Sequence, residues 1–511
     1  MGSVKMKLIE VIFFIIVLMV VVVTVGKYYY PSQLVSAAGE AGQDTAKTYD
    51  FLKYKSEILW FEDKYNHTPS QERARSIPVL AYHGLAKQDY KSDVLVENFK
   101  KQMFMMKREG YQTITLEEFY EYRLGKRELP EKSFLLTFDD GIKSSYYGAD
   151  PVLKALDYTA VMFLISKYSL GESDHPYYLS KSEVKKMLKT GRWEVQAHAR
   201  DAHSLVQIDK AGAKANFFGN KMWLADEDRI ETEEEYTARV SREFVNVRKD
   251  IEGNLSIPVY GFAVPFGEIG ENSVNFQRAK DVVTQEAGKV YSLVFHQNWP
   301  SKGFTHNHVK NSTFIQRISI PHDWNTDELY WVLQDGKEKN LPFHDNFQYN
   351  TGWVSVWGER TIENNQMSMT SVDIPGAALF LDGSYLFQDY VFKTKVKEVK
   401  GEVISLRSRY QDELNYVACD YSTKYVRVSE MVKGVSRTVV EQKIGDTSLT
   451  EVELTMKVNG NKTECFLADK LVISWEGINP EFKRGGIGLK IWGLDPSTHA
   501  IIKEVSVEGN E

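Results

Sequence analysis

The hydrophobic pattern of this chain of 511 residues changes its period near residue 343. Between residues 77 and 342, short apolar runs alternate with amphipathic stretches, which is typical of parallel strands connected by helices. After residue 343, apolar and polar residues alternate with period two between regular turns, as in an antiparallel β-sandwich. The pattern therefore predicts an α/β domain over 77–342 and an all-β domain over 343–511.

A third kind of segment precedes both domains. Residues 8–26 are almost wholly apolar, and Lys5 and Lys7 stand just before them. A bilayer core requires about 20 apolar residues, and flanking cations favour the cytoplasmic side. We therefore expect a cytoplasmic tail over 1–7, a transmembrane anchor over 8–26, and the remainder of the chain outside the cell.

A cleaved signal peptide is the alternative to the anchor. Val35-Ser36-Ala37 resembles a small-residue cleavage site. However, the apolar core of a signal peptide is usually about 7–15 residues long, which is shorter than 8–26. Residues 27–76 are expected to form a stalk with a short helix between Tyr49 and Tyr65, where apolar residues recur at roughly helical spacing.

Charge and cysteine content exclude several classes of function. Lys and Arg number 63 against 70 Asp and Glu, so the formal charge of −7 gives no general attraction for nucleic acid. Two cysteines are too few for a disulfide scaffold or a multi-cysteine metal site. Cys419 and Cys465 both lie on predicted strands, and the sequence leaves open whether they pair.

Acids and histidines stand at the ends of predicted strands. The predicted strand over 133–141 ends in Thr137-Phe138-Asp139-Asp140-Gly141. The predicted strand over 193–199 ends near His198 and His203. Active sites of parallel α/β folds gather at the carboxyl ends of strands. Two histidines and one carboxylate can hold a metal while leaving positions open for water and substrate.

These pieces, taken in order over about residues 77–325, resemble the polysaccharide deacetylase family, also called the NodB-homology or carbohydrate esterase 4 family. Thr137–Gly141 matches the first motif of the family. The spacing of His198 and His203, and Pro265-Phe266-Gly267, resemble the poly-N-acetylglucosamine deacetylase branch. The resemblance implies a deformed (β/α) barrel, an N-acetylated polysaccharide as substrate, and acetate as product.

The resemblance also implies roles for individual residues. Asp139 would be the general base, and Asp140, His198 and His203 would bind a divalent metal ion, zinc being the first candidate. The sugar groove would be lined by Tyr82, His83, Pro265, Phe266 and Arg317.

The chain departs from the family pattern at three points. Ala199 replaces a hydroxyl residue after the first histidine, and Ala263 stands where many members carry an arginine that orients the base. The histidine expected to act as general acid occurs one residue late, at His322. His83 and His296 are rival candidates for the general acid.

We therefore expect a membrane-anchored extracellular N-deacetylase, with a poly-N-acetylhexosamine exopolysaccharide as the favoured substrate and exopolysaccharide synthesis or export machinery as a possible partner. Alternatives are a deacetylase of peptidoglycan or chitin-like chains, or a glycan-binding surface protein with a degenerate site. The β-sandwich resembles concanavalin-like or laminin-G-like modules, and sugar could stack on Trp353, Trp357, Trp475 or Trp492.

Overall fold

The computed structural model describes residues 72–87, 93–171, 175–298, 303–310 and 312–510. The expected cytoplasmic tail, membrane anchor and nearly all of the stalk lie outside the described residues. Within these ranges, none of the helices has the length and apolar content to span a bilayer.

Seven parallel strands close into a barrel in the first domain. They are β1 (Ser76–Tyr82), β2 (Ser133–Phe138), β3 (Ala160–Ile165), β4 (Trp193–Ala199), β5 (Gly261–Ala263), β6 (Leu293–Asn298) and β7 (Phe314–Ser319). β1 pairs with both β2 and β7, and this double pairing closes the ring in the order β1-β7-β6-β5-β4-β3-β2. The predicted α/β barrel is thus confirmed.

The apolar runs of the sequence become barrel strands because both of their faces are covered. Every residue of β1, β2 and β3 is buried, one face by the barrel interior and the other by helices. The helices are α1 (Val96–Arg108), α2 (Leu116–Arg123), α3 (Lys143–Leu156), α4 (Ser166–Ser169), α5 (Lys181–Leu188), α6 (Glu233–Leu255), α7 (Ala279–Val290) and α8 (Thr326–Gly336).

The long helix α6 begins with a reciprocal cap. The Thr232 hydroxyl accepts a hydrogen bond from the Glu235 amide, and the Glu235 carboxylate accepts one from the Thr232 amide. Such a capping box satisfies amides that the first helical turn leaves without partners. It fixes the start of α6 at Glu233.

The first domain also contains shorter strands and turns outside the seven barrel strands. They are strands Leu85–Ala86, Val94–Leu95, Gln112–Thr113, Leu205–Gln207, Lys214–Asn216, Trp223–Leu224, Arg229–Ile230 and His306–His308, and 3-10 turns Ala225–Glu227 and Pro265–Gly267. The strand His306–His308 pairs antiparallel with Ser76–Pro78, the first residues of β1. It therefore lies at the amino-terminal end of the barrel strands.

The second domain consists of two antiparallel sheets. The first sheet contains β8 (Phe343–Asp345), β10 (Glu359–Glu363), β11 (Gln366–Thr370), β13 (Tyr390–Lys400), β18 (Val452–Asn459), β19 (Lys462–Leu467), β20 (Lys470–Glu476) and β22 (His499–Gly509). The second contains β9 (Trp353–Trp357), β12 (Ala377–Leu381), β14 (Val403–Asp412), β15 (Asn415–Tyr421), β16 (Tyr425–Val432), β17 (Val435–Lys443) and β21 (Gly486–Trp492).

One hydrophobic core and one disulfide join these two sheets. The core draws buried residues from both, including Phe392 and Val505 from the first sheet and Leu406 from the second. A disulfide links Cys419 on β15 to Cys465 on β19. The structure therefore pairs the two cysteines and supports the predicted sandwich architecture.

The sandwich packs against the amino-terminal end of the barrel. The Phe304 ring lies 5.3 Å from the rings of both Phe380 and Tyr385. Next to it, the Thr305 hydroxyl donates a hydrogen bond of 2.7 Å to the buried carboxylate of Asp382. This junction is at the opposite end of the barrel from the carboxyl ends of its strands.

The junction predicts a large loss of stability in Phe304→Ala. Phe304 is 7% exposed, and truncating a buried phenylalanine costs about 3–5 kcal/mol because a cavity remains. Urea denaturation should show this loss. The control Val274→Ala, at a residue 71% exposed, should stay within about 0.5 kcal/mol of the parent protein. Equal stability of the two variants would contradict the packing described for Phe304.

Candidate functional site

The turn after β2 separates two adjacent carboxylates. Asp139 is buried in the barrel, whereas Asp140 has a φ of +70° and Gly141 a φ of +75°. At Gly141 a Cβ atom would lie 2.6 Å from Leu164 Cδ2, so the turn has no room for a side chain. Two successive left-handed residues thus direct the Asp140 carboxylate away from that of Asp139.

Asp140 meets two histidines at the end of β4. Its Oδ1 atom lies 3.2 Å from Nε2 of His198 and 3.2 Å from Nε2 of His203. These contacts are not aligned as hydrogen bonds, and the buried Oδ1 atom is left without a donor. The three ligand atoms lie within 4.8 Å of one another. The structure therefore brings together the three residues predicted to bind a metal.

The orientation of His198 fits the same role. Its Nδ1 atom lies 2.8 Å from the carbonyl oxygen of Ala263 and can only donate to it, which leaves the lone pair of Nε2 facing Asp140. Two imidazole nitrogens and one carboxylate oxygen form a ligand set that zinc accepts. An uncompensated carboxylate oxygen between two such nitrogens is what a bound cation would satisfy.

Asp139 is fixed by a bidentate ion pair with Arg317. Nη1 of Arg317 lies 2.6 Å from Oδ1 of Asp139, and Nη2 lies 2.7 Å from Oδ2. Both side chains are fully buried. Burial alone would raise the pKa of Asp139, but the charge and hydrogen bonds of Arg317 outweigh it, and the pKa is lowered. Asp139 is therefore held ionised in one orientation.

The structure corrects the predicted role of Arg317. The family resemblance implied a place in the sugar groove, but the guanidinium is 0% exposed and pairs with Asp139. A fully buried cation needs a carboxylate partner, and Arg317 on β7 has one in Asp139, which follows β2 on the other side of β1. Arg317 thus orients Asp139, a task that the methyl group of Ala263 cannot perform.

Tyr82 also differs from its predicted role. It is fully buried, its hydroxyl donates to Oε1 of Gln102 at 2.8 Å, and its ring packs against Phe99 and Phe138. Its side chain therefore belongs to the layer between the barrel and α1 and cannot line a sugar groove. Adjacent side chains of a strand point to opposite faces, and a sequence motif alone does not tell which of Tyr82 and His83 faces the site.

The third motif positions one aromatic ring beside the metal ligands. Pro265 is buried and starts a short turn in which Phe266 has a φ of +59°, an unusual conformation for a bulky residue. Phe266 is 48% exposed, and its ring centroid lies 4.5 Å from that of His203. Phe266 therefore presents an apolar face at the rim of the site, while Pro265 contributes to the turn.

His83 is the histidine nearest to the Asp139 carboxylate apart from the metal-ligand pair. Its Nε2 atom lies 3.8 Å from Oδ2 of Asp139 and 2.6 Å from Nε2 of Gln297. His322 is exposed and makes no hydrogen bond or ion pair within the described part of the chain. Its assignment as general acid stays a prediction. His296 faces Glu271 instead, at 3.4 Å.

Glu243 on α6 holds the loop between the two metal-ligand histidines. Its carboxylate accepts hydrogen bonds from the backbone amides of Arg200, Asp201 and Ala202 at 2.6–3.0 Å. The loop hydrogen bond that Ala199 cannot make is thus replaced from outside the loop. The sequence does not single out Glu243, because nothing in the charged pattern of α6 distinguishes it.

An aromatic group near Asp140 was not predicted from the sequence. Tyr178 stacks on Tyr168 at 4.6 Å and contacts His175, while Tyr177 beside it is 44% exposed. Burial and the nearby charge of Asp140 raise the pKa of Tyr178 to about 12. The run His175-Pro176-Tyr177-Tyr178 after a barrel strand was the available signal for these residues.

Comparisons with known proteins agree with this site. Residues 126–284 match the sequence profile of the family described as Polysaccharide deacetylase. The chain is 25% identical over 180 residues to the poly-beta-1,6-N-acetyl-D-glucosamine N-deacetylase of Escherichia coli, covering 33% of this chain and 27% of the relative. It is 31% identical over 173 residues to the protein of that name from Staphylococcus epidermidis, covering 31% and 58%.

The chain therefore spans between about a quarter and three fifths of the length of these curated relatives. Among solved structures, a de-N-acetylase from Aggregatibacter actinomycetemcomitans aligns with a TM-score of 0.43 and 20% identity. That alignment covers 50% of this chain and 99% of the solved one.

The hydrogen bonds of Glu243 predict that Glu243→Gln weakens metal binding. The amide would face three backbone N–H groups with one acceptor and one repelling donor, so the loop carrying His203 would lose its position. Loss of such an outer partner typically lowers metal affinity 10–100-fold. Zinc titration against a competing chelator should show this. Glu234→Gln, at an exposed residue of the same helix, should bind zinc like the parent protein.

Proposed function

We propose, from the premise that the barrel domain belongs to the polysaccharide deacetylase family, that this chain is a metal-dependent N-deacetylase of polysaccharides. The observation that carries the proposal is the convergence of Asp140, His198 and His203 beside the ionised, oriented carboxylate of Asp139. A divalent cation held by these three residues supplies Lewis acidity for amide hydrolysis, and zinc is the first candidate.

Asp139 serves as the general base in this proposal. Its carboxylate takes a proton from the water that attacks the acetamide carbonyl. Arg317 keeps the carboxylate ionised and fixes the direction of its oxygens, so the base is already aligned when substrate arrives. Because Arg317 lowers the pKa of Asp139, the base is weaker but fully available at neutral pH.

His83 is our candidate for the general acid, in preference to His322. Its Nε2 atom lies 3.8 Å from Oδ2 of Asp139, and its side chain is 37% exposed, so a substrate bound beside Asp139 can reach it. The amide nitrogen of Gln297 can only donate to Nε2 of His83, so the neutral ring carries its proton on Nδ1. A proton delivered by His83 to the nitrogen of the scissile amide allows the C–N bond to break, with acetate and an amine as products.

The aromatic rims support a polysaccharide substrate. Phe266 beside His203, and Tyr177 and Tyr178 near Asp140, offer apolar faces to sugar rings. The curated relatives act, by name, on poly-beta-1,6-N-acetyl-D-glucosamine. We therefore favour a poly-N-acetylhexosamine exopolysaccharide, with peptidoglycan or a chitin-like chain as the alternative. The intact ligand set weighs against a degenerate, purely glycan-binding protein.

We also propose that the enzyme acts outside the cell from a membrane anchor formed by residues 8–26. The length and apolar character of that segment support an anchor. The disulfide between Cys419 and Cys465 supports an oxidising compartment, since such bonds rarely persist in the cytosol. In that place the enzyme could act together with the machinery that synthesises or exports the polysaccharide.

Acetate release should distinguish among the substrates. Full-length protein is offered poly-N-acetylglucosamine, poly-N-acetylgalactosamine, chitin oligomers and peptidoglycan, and acetate is measured enzymatically. We expect the highest rate with a poly-N-acetylhexosamine and a loss of at least about 100-fold after chelation, restored by zinc. Acetate release that persists in His198→Ala would contradict the metal assignment.

Two histidine variants should identify the general acid. His83→Ala should lower kcat by about 10²–10⁴-fold, the usual contribution of a positioned acid, with a smaller change in KM. His322→Ala should retain most of the activity, since its side chain is exposed and contacts none of the site residues. The reverse ranking of the two variants would return the role to His322.

A further inference from the structure

A group of tryptophan and lysine side chains occupies the outer face of the second sandwich sheet. Trp357 on β9, Ala378 on β12 and Lys490 on β21 lie in one row across three neighbouring strands. Nζ of Lys490 lies 5.8 Å from the ring centroid of Trp357 and 5.4 Å from that of Trp492. We call Trp357, Lys490 and Trp492 the tryptophan–lysine platform.

The platform contains hydrogen-bond donors that have no acceptor. The side chain of Lys490 makes no hydrogen bond or ion pair with the residues that the structure describes, and burial lowers the pKa of its ammonium. Nε1 of Trp357 is likewise without a partner. Beneath Trp357, Nε of the fully buried Arg407 is also unpaired, and the Arg407 guanidinium lies 5.5 Å from the Trp357 ring.

The two carboxylates near Lys490 bind other side chains. Asp420 accepts hydrogen bonds from Ser405, Arg427 and Ser429 at 2.6–2.9 Å. Glu413 accepts from Arg407 and Tyr410. Lys490 is therefore surrounded by aromatic faces and by carboxylates that bind other side chains, an environment that would be completed by a ligand rich in acceptors.

Trp353 provides an internal comparison. It is 1% exposed, and its Nε1 donates to Asp345 at 2.9 Å, so its indole is a satisfied core side chain. Trp475 packs against the same core. Of the four tryptophans considered for sugar stacking, only Trp357 and Trp492 lie on the outer face with the unsatisfied donors.

We propose that the platform binds N-acetylated segments of the polysaccharide and rejects deacetylated ones. This inference rests on the proposed function only for the identity of the polymer. Indole rings stack on the apolar face of a pyranose, and the Lys490 ammonium donates to an acetamide carbonyl. The amine left by deacetylation carries a positive charge when protonated, which Lys490 repels. The platform thus releases the product of the barrel.

The platform and the catalytic site bind different stretches of one chain. Gly486, at the start of β21, contacts Phe304 at the barrel junction, and Trp492 lies six residues further along the strand, about 20 Å away. The junction itself is at the end of the barrel opposite the metal ligands. Only a long polymer can reach both places, and it gains affinity by effective concentration.

The test uses the full chain in gels that contain a polymer, where binding slows migration. The polymers are an N-acetylated polyhexosamine, its chemically deacetylated form and a polyuronate. The variants are Trp492→Ala and Lys490→Gln, with Trp331→Ala as control, because Trp331 is 57% exposed on the barrel helix α8. Acetate release from a trisaccharide is measured in parallel.

We expect the parent protein and Trp331→Ala to be retarded by the acetylated polymer and not by the deacetylated form. Both platform variants should lose at least about 10-fold in affinity for the polymer, while hydrolysis of the trisaccharide is unchanged. Equal retardation of parent and platform variants would overturn the inference, as would stronger retardation by the polyuronate. Retardation without acetate release would refute the proposed activity and leave the platform standing.

Discussion

The buried ion pair between Asp139 and Arg317 is the interaction on which the site depends. Two fully buried charges are tolerated only when they satisfy each other. Asp139 follows β2 and Arg317 lies on β7, and β1 pairs with both of these strands. The pair can therefore form only when the barrel is closed, and closure also brings His83, at the end of β1, to the same carboxylate. Fold and catalytic geometry are thus established together.

The metal ligands depend less on closure than on local backbone. Left-handed turns at Asp140 and Gly141 direct one carboxylate outward, and the Ala263 carbonyl selects the tautomer of His198. These local features coincide with short sequence motifs, which is why the three ligands could be predicted from sequence. The alternation of apolar runs with amphipathic helices predicted the barrel strands for a similar reason. A strand that is buried on both faces consists almost wholly of apolar residues, which is visible in the sequence.

The residues that sequence reasoning misplaced are those whose roles depend on distant partners. Arg317 is separated from Asp139 by 178 positions, and only the strand order reveals that its guanidinium points inward. Tyr82 and His83 are neighbours in sequence, yet one is in the core and the other at the site. The aromatic residues around Tyr178 stack on one another, and the hydrophobic periodicity of the sequence does not predict this stacking.

The support that Glu243 gives to the loop after β4 bears on how such proteins are recognised. Because a helix supplies the acceptor for three consecutive amides, the loop over residues 199–202 does not need hydrogen bonds from its own side chains to keep its conformation. Substitutions between the two histidines can then accumulate without displacing either imidazole. A motif search that requires a hydroxyl after the first histidine would reject this chain although its ligand set is complete, whereas a search that pairs the histidines with a carboxylate on the following long helix would retain it.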